Sequence, residues 1–333
     1  MSQHVLSIDI GGSKILTALV SRNGNVLARE LEPTAALDRF ETVLEQIEAA
    51  TRRLNQRTGG KQNPRPLAAS LAVAGAVDIG SGVVTTSPNL PQWQNVPLRA
   101  LIEDRLSLHT FMINDASAAA LGEHAYGAGR GTKDMVFITV STGIGGGIII
   151  NGELYQGISG AAGEIGHMVI DVGGPLCGCG NYGCLEALAS GTAIARDAAE
   201  RIALGTYSSI PKFTADGSTV TAAAVSAAAK QGDPLANEIV SRAAHYLGMG
   251  LVSVVNIFNP QMIVIGGGVA QMGEMLLNPA RQVVREKAFK ISADAAQIVQ
   301  ANLGPDAGIV GAATYAWREL EKQKGSNNNA YQT

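Results

Sequence analysis

Polar and apolar residues alternate from His4 to Ile10, and the stretch is rich in β-formers, so it predicts a strand. Residues 15–20 and 26–31 predict two more strands. The first link between them is the tight turn Gly11-Gly12-Ser13-Lys14. The second, Arg22-Asn23-Gly24-Asn25, contains the Asn-Gly pair that favours a hairpin. The period then lengthens. Phe40, Val43, Leu44, Ile47 and Ala50 recur at the spacing of one helical face and predict a helix over 38–55. Residues 57–66, with their glycines and prolines, read as an exposed loop. Beyond it the pattern predicts a buried strand over 67–73, a short strand at 83–85 and a helix over 96–105. A strand over 110–113 and an alanine-rich helix over 116–126 follow.

A second cycle starts with a strand over 135–140. The glycine turn Ser141-Thr142-Gly143-Ile144-Gly145-Gly146-Gly147 follows, then a strand at 148–150 and an Asn151-Gly152 turn. Helical periods dominate afterwards, over 191–204, 219–230, 235–258 and 274–287. Among them lies a buried strand over 261–265 that ends in Gly266-Gly267-Gly268. A strand over 297–300 and a helix over 306–321 close the pattern, and the Asn-rich tail predicts disorder. The plan of strand, glycine turn and strand thus occurs twice in an α/β chain.

The totals narrow the function classes. A chain of 333 residues has room for one large or two modest domains. A net charge of −3 gives no global basic field for nucleic acid. No apolar run reaches the roughly 18 residues needed to span a bilayer, and the first strand starts too early to leave room for a signal peptide. A cytoplasmic protein is expected. Glycine makes up 40 residues, gathered in short clusters that suit turns approached by a ligand.

All three cysteines lie in one block, Cys177-Gly-Cys179-Gly-Asn-Tyr-Gly-Cys184, with His167 upstream. A Cys3His set is a standard tetrahedral ligand set for structural zinc, and the glycines let the backbone turn tightly enough for the sulfurs to converge. A disulfide that leaves one thiol over, and three free core cysteines, are the competing readings. Glu164 and Glu186 flank the block. A histidine that gives one ring nitrogen to metal keeps the other for a second partner. Glu164, His167 and Glu186 therefore make a wall suited to several hydroxyl groups, unless both glutamates face solvent or merely support the metal ligands.

Asp9, near the end of the first strand, could hold Mg2+ through water, and the glycine turn after it could aim N–H groups at phosphate. An ordinary hairpin explains the same residues. No G-x-x-x-x-G-K-[ST] loop occurs. Asn114-Asp115 closes a strand and opens a helix. Asp115 is either a helix cap or, at a strand end where α/β folds place ligands, a general base. The loop Ser87-Pro-Asn89-Leu-Pro-Gln-Trp93 is either functional or a rigid turn around a packed tryptophan.

Together these motifs resemble those of the ROK family (repressors, open reading frames, sugar kinases), and within it the bacterial glucokinases, over about residues 4–321. Asp9-Ile-Gly-Gly-Ser-Lys14 is similar to the family's first phosphate motif. Residues 140–167 are similar to its signature of spaced glycines ending in Gly-His, and residues 177–186 to its zinc motif. The resemblance implies an α/β fold of two ribonuclease-H-like domains of the actin/hexokinase-like (ASKHA) superfamily with a cleft between them. Residues 1–118 with the C-terminal helix 305–322 would form a small α/β domain. Residues 119–304 would form a large α/β domain with the zinc motif, and 323–333 a disordered tail.

The activity implied is an ATP-dependent phosphorylation of the 6-hydroxyl of glucose, with Mg2+ and a structural Zn2+. Asp115 would be the base. Asn89, Asn114, Asp115, Glu164, His167 and Glu186 would hold the sugar. Asp9, Gly11, Gly12, Ser13, Lys14, Thr142 and Gly143 would surround the phosphates and Mg2+, and Gly266, Gly267 and Gly268 would lie near the nucleoside. His167, Cys177, Cys179 and Cys184 would bind the zinc. The partners would be sugar and ATP, with neither nucleic acid nor membrane, and the chain would form a homodimer or homotetramer. The alternatives are a ROK kinase for fructose, N-acetylmannosamine or N-acetylglucosamine, and a non-catalytic sugar-responsive regulator. Those regulators carry an N-terminal helix-turn-helix, whereas here the phosphate motif already begins at Asp9. Ala74-Gly75 stands where the family usually has Pro-Gly and Ser13 where it often has Thr, which bears on the stiffness of the loop beside the sugar. The loop from Asn89 to Trp93 resembles that of the family's glucokinases and favours glucose.

Overall fold

The computed structural model describes residues 3–34, 39–58, 65–87, 90, 92–215 and 219–330, the last six as backbone. Contacts group the chain into two units. One comprises Met1–Gly131, Leu154–Ala162 and Pro305–Thr333; the other comprises Thr132–Glu153 and Gly163–Gly304.

The first unit opens with β1 (His4–Ile10), β2 (Lys14–Ser21), β3 (Val26–Pro33), α1 (Phe40–Arg57) and β4 (Ala69–Val73). The short strands β5 (Ala76–Asp78), β6 (Val83–Thr86) and β7 (Gln94–Val96) form a small sheet of their own. Next come α2 (Leu98–Leu106), β8 (Thr110–Asn114) and α3 (Asp115–Tyr126). The main sheet runs β3-β2-β1-β4-β8. Its first three strands are antiparallel neighbours, whereas β1, β4 and β8 are parallel. Ile10 pairs with Val73, and Val73 with Asn114. The carboxyl ends of three strands therefore finish along one edge, where open α/β sheets take ligands.

Burial explains the pattern of the strands. Leu6, Ile8 and Ile10 of β1, Leu71 and Val73 of β4, and Val43, Leu44, Ile47 and Leu54 of α1 share one core. Each fully buried Leu, Ile or Val contributes about 1.5–3 kcal/mol. β1 is buried along nearly its whole length, its polar His4 and Ser7 included, while the edge strand β3 alternates half-buried and exposed residues.

The second unit repeats this plan. It contains β9 (Met135–Val140), β10 (Ile144–Ile150), the first residue of β11 (Glu153–Tyr155), α4 (Leu185–Ala189), α5 (Gly191–Ala203), α6 (Ala222–Lys230) and α7 (Pro234–Phe258). β12 (Met262–Gly266), α8 (Glu274–Lys287), α9 (Lys290–Ala295) and β13 (Gln297–Gln300) complete it. The sheet runs β11-β10-β9-β12-β13, with β9 and β10 antiparallel and β9, β12 and β13 parallel. Val136, Ile138 and Val140 of β9 pack with Ile239, Leu247, Leu251 and Val254 of α7 in its core. The glycine turn expected over 141–147 is shorter than that. Only 141–143 turn, and β10 takes Gly145, Gly146 and Gly147 into the sheet. A side chain at Gly146 would meet the Gly163 carbonyl and Ile165, so Gly146 answers to packing and not to a turn.

The last helix, α10 (Ala307–Ala330), returns to the first unit and packs along α3. A side chain at Gly122 or Gly311 would run into the backbone of the other helix; both glycines let the axes approach closely. This packing groups α3 with the first unit, whose opening stretch runs to Gly131. Residues 154–162 group with the first unit as well. The backbone of α10 stays helical to Ala330, past the tail expected from residue 323. Good helix formers and the Lys322–Glu319 pair support its last described side chains. Most of the loop expected over 57–66 lies outside the described residues, as do 331–333. Among the described residues, no helix is long and apolar enough to cross a membrane.

Candidate functional site

The cysteine block folds into a knot. Val169 bridges to Cys184 and Leu176 to Tyr182. The Cys177 N–H donates to the Asn181 carbonyl at 2.8 Å and the Gly180 N–H to the Cys177 carbonyl at 3.0 Å. Gly183 takes φ +67°, and a side chain there would collide with the Asp171 carbonyl; only glycine fits. The ligand atoms of His167, Cys177, Cys179 and Cys184 consequently lie within 4.8 Å of one another. The Sγ atoms of Cys179 and Cys184 are 3.7 Å apart, and Cys177 Sγ is 3.7 Å from His167 Nδ1. Sulfurs bound tetrahedrally at about 2.3 Å from zinc stand about 3.8 Å apart, so the donor set and its spacing fit Zn2+. No disulfide joins the three thiols. Burial, then the neighbouring thiols, push the Cys184 thiol up to about 12, while the Asn181 backbone N–H holds Cys179 down. A bound cation reverses such upward shifts, because the thiolate is the ligand form.

His167 divides its two nitrogens. Nδ1 faces the sulfurs, and Nε2 lies 3.9 Å from the Glu164 carboxylate. Glu186, in the first turn of α4, is half-buried. Its Oε2 accepts the Ile144 N–H at 2.8 Å, and its Oε1 lies 3.9 Å from Cys177 Sγ.

In the first unit, the strand ends bring Asp9, Gly75, Asn114 and Asp115 to one edge. Asn114 has extended torsions and caps α3, its Oδ1 accepting the Ser117 N–H at 3.1 Å. Its amide also donates to the Gly75 carbonyl at 3.3 Å. Asp115 is the first helical residue, and its Oδ1 accepts the Ala116 N–H at 2.8 Å. The N-cap is therefore Asn114, while Asp115 takes a further N–H of the first turn with one carboxylate oxygen. Asp9 is only partly accessible to solvent. Burial, and then the nearby Asp115 charge, push its carboxyl up to about 7, with Lys14 pulling the other way. A side chain at Gly308, at the start of α10, would overlap the Asp9 carboxylate. In the adjoining turn the Gly11 N–H donates to the Lys14 carbonyl at 3.0 Å. Thr34 holds the Gly11 carbonyl through Oγ1 at 2.7 Å and the Ser13 carbonyl through N–H at 3.1 Å. The N–H groups of Gly12 and Ser13 donate to no acceptor among the described residues.

The turn 141–143 of the second unit is built alike. The Ser141 N–H donates to the Gly143 carbonyl at 2.8 Å, and the Ser141 carbonyl accepts the Gly191 N–H at 2.7 Å. Thr192 Oγ1 donates to the Thr142 carbonyl at 2.8 Å. Again the second and third N–H groups, of Thr142 and Gly143, donate to no acceptor among the described residues. Beside this turn is a cavity of about 730 Å3. Thr142, Gly268 and Lys230 line it, with apolar walls from Ala195, Val220, Ala223, Val269 and Met272. Gly266 and Gly267 do not. Gly266 packs on Phe137, and Gly267, at φ +89°, lies against the Val140 carbonyl. The cavity walls from α5, α6 and 219–221 were not foreseen, because small apolar helix residues carry no chemical signature. Trp93 is packed in the core with Leu90, which is the rigid-turn reading of that loop; Asn89 lies outside the described residues.

The ROK family model matches residues 5–319. The chain belongs to the ROK family. A glucokinase of Thermotoga maritima is 36% identical to this ROK protein over 310 residues, which is 93% of this chain and 96% of the relative. A crystal structure of a ROK family glucokinase from Streptomyces griseus in complex with glucose and AMPPNP matches it with a TM-score of 0.78 at 35% identity. That match covers 93% of this chain and 98% of the other. A xylose repressor of Caldicellulosiruptor bescii is 32% identical over 289 residues, 86% of this chain and 71% of the repressor. The doubled sheet is thus the actin/hexokinase-like fold that the motifs implied.

Proposed function

We propose that this ROK protein is an ATP-dependent hexose kinase that transfers the γ-phosphoryl group of ATP to the 6-hydroxyl of glucose. The observation that carries this reading is Asp115, at the strand edge beside Asp9, with the N-cap position taken by Asn114. Similarity to glucokinases over nearly the whole chain supports it.

In this reading Asp115 accepts the proton of the 6-hydroxyl as that oxygen attacks the γ-phosphorus. The new O–P bond forms while the bond to the bridging oxygen breaks, and ADP leaves with that electron pair. Asn114, Glu164, His167 and Glu186 hold ring hydroxyls, with Asn89 as a further contact. Asp9 would hold Mg2+ through water, and the ion would supply charge neutralisation at the phosphates. The N–H groups of Gly12 and Ser13 in one unit and of Thr142 and Gly143 in the other donate to phosphate oxygens. The apolar cavity beside Gly268 takes a flat nucleobase. His167, Cys177, Cys179 and Cys184 would hold Zn2+, which would fix the imidazole and so brace the sugar wall. A homodimer or homotetramer belongs to the same reading and is checked by light scattering.

The test is an ADP-release assay with ATP across a hexose panel. Glucose should turn over faster than fructose, N-acetylmannosamine or N-acetylglucosamine. Absence of turnover with every hexose would overturn the kinase. Likeness to the xylose repressor favours a second reading, a sugar-responsive regulator, which would bind sugar without turnover.

A further inference from the structure

Glu186 stands where the metal knot meets the 141–143 turn. One carboxylate oxygen lies 3.9 Å from Cys177 Sγ, in the metal cluster. The other accepts the Ile144 N–H at 2.8 Å, and it is so close to Gly143 that a methyl group there would overlap it. The remaining supports of the turn come from the next few residues. Gly191 and Thr192 hold the carbonyls of Ser141 and Thr142. Ser190 links α4 to α5 and caps the latter, its Oγ accepting the Ala193 N–H at 3.1 Å. Residues 186–192, anchored behind Cys184, thus pin the turn's carbonyls and the Ile144 N–H from one side. What the turn leaves over is the pair of N–H groups on Thr142 and Gly143.

We infer that Glu186 is a positioning residue for phosphate: by holding Ile144 it sets the 141–144 backbone so that the Thr142 and Gly143 N–H groups present themselves to an anion. The identity of that anion, a nucleoside triphosphate, rests on the kinase reading. A carboxylate has about four lone-pair sites, so the same side chain can hold the turn and a sugar hydroxyl. Phosphate affinity is thereby tied to the segment that the metal knot anchors. The hydrogen bond, not the charge, does the positioning, since a second negative group behind a phosphate turn gains nothing by Coulomb's law.

The test is AMPPNP binding by calorimetry to the full chain without sugar, for wild type, Glu186→Ala and Glu186→Gln, each checked for zinc content. Loss of a charge-assisted hydrogen bond should weaken AMPPNP about tenfold in the alanine variant. The glutamine variant keeps an acceptor for Ile144 and should bind as wild type does. Amide exchange at Ile144 should speed up in the alanine variant alone. Gly143→Ala should weaken AMPPNP in the wild type but much less alongside Glu186→Ala, where the overlapping group is gone. Wild-type AMPPNP affinity in Glu186→Ala with its zinc retained, or additive effects in the double variant, would overturn the inference. If the wild type binds no AMPPNP, the kinase reading fails, and the Ile144 exchange rates still decide whether Glu186 holds the turn. Equal exchange in wild type and Glu186→Ala would overturn that as well.

Discussion

The turn after β1 and the turn after β9 occupy the same place in two sheets of the same order, yet they are held and charged differently. In the first unit the penultimate residue of the leading strand is Asp9; in the second it is Thr139. The first turn is held through its carbonyls by Thr34, beside β3. The second is held by Glu186, Gly191 and Thr192, from the helices that follow the metal knot. Both leave the N–H groups of their second and third residues without a protein acceptor among the described residues. The comparison separates two contributions. The shared backbone frame sets where N–H donors face outward, and the supporting side chains set the charge. Acid chemistry gathers in the first unit, with Asp9 and Asp115. The second has a neutral turn beside an apolar cavity, with its carboxylates and thiols on the knot.

The largest effect should come from breaking the acid edge of the first unit. Asp115→Asn keeps the size of the side chain but cannot take the proton, so kcat should fall by about 10²–10⁴-fold. Steady-state kinetics check this, and sugar affinity should move far less. Asn and Asp serve alike as caps, so near-normal turnover would mean that Asp115 has only a local backbone role.

The next largest should come from the knot that supports the second turn. Elemental analysis should find about one zinc per chain. Cys177→Ser should lower zinc affinity at least about tenfold and weaken glucose binding with it. If Glu186 couples the knot to the turn, AMPPNP binding should weaken too, while the first turn, held by Thr34, is untouched. Full sugar affinity in zinc-free protein would break the comparison.

A pH series isolates Asp9 from its uncharged counterpart Thr139. The folded-state carboxyl is raised to about 7 from its ordinary 3.8. Ionising it therefore costs more in the folded than in the unfolded chain. Ligand-free stability should decline as pH rises from about 4 to about 7 and level off above that. Asp9→Asn should remove the decline and raise Tm above pH 7 by on the order of 5 °C, with no difference near pH 4. A parallel pair of Tm curves would show that burial does not penalise this charge.

The smallest test compares the caps, Asn114 on α3 and Ser190 on α5. Ser190→Ala should cost about 1 kcal/mol in urea denaturation. A negligible change would mean that packing, not the cap, starts α5.

The doubled frame was legible because alternation, turn residues and helical spacing are written in consecutive residues. The metal set was legible for a similar reason: Cys177, Cys179 and Cys184 lie within one short glycine-rich knot, and His167 is close upstream. Three things were not. The glycines at 145–147 read as a turn, yet they lie in β10, where Gly163 and Ile165 approach Gly146 closely. The cavity walls are small residues from α5, α6 and the stretch 219–221, far apart in sequence from the turn they adjoin. The membership of α3 in the first unit depends on how closely Gly122 and Gly311 let two helices pack.

By itself, then, the sequence determined the elements, the repeated strand–turn–strand plan and the ligand chemistry of the knot, because each is a property of neighbours along the chain. Only the tertiary structure decided which of the adjacent residues Asn114 and Asp115 caps α3, since the two are equally good caps and the choice rests on the extended torsions of Asn114. Only it, too, joined Glu186 to Ile144 across 42 residues. A hydrogen bond of that kind depends on how the knot and the sheet pack together, and no local pattern of residues records it.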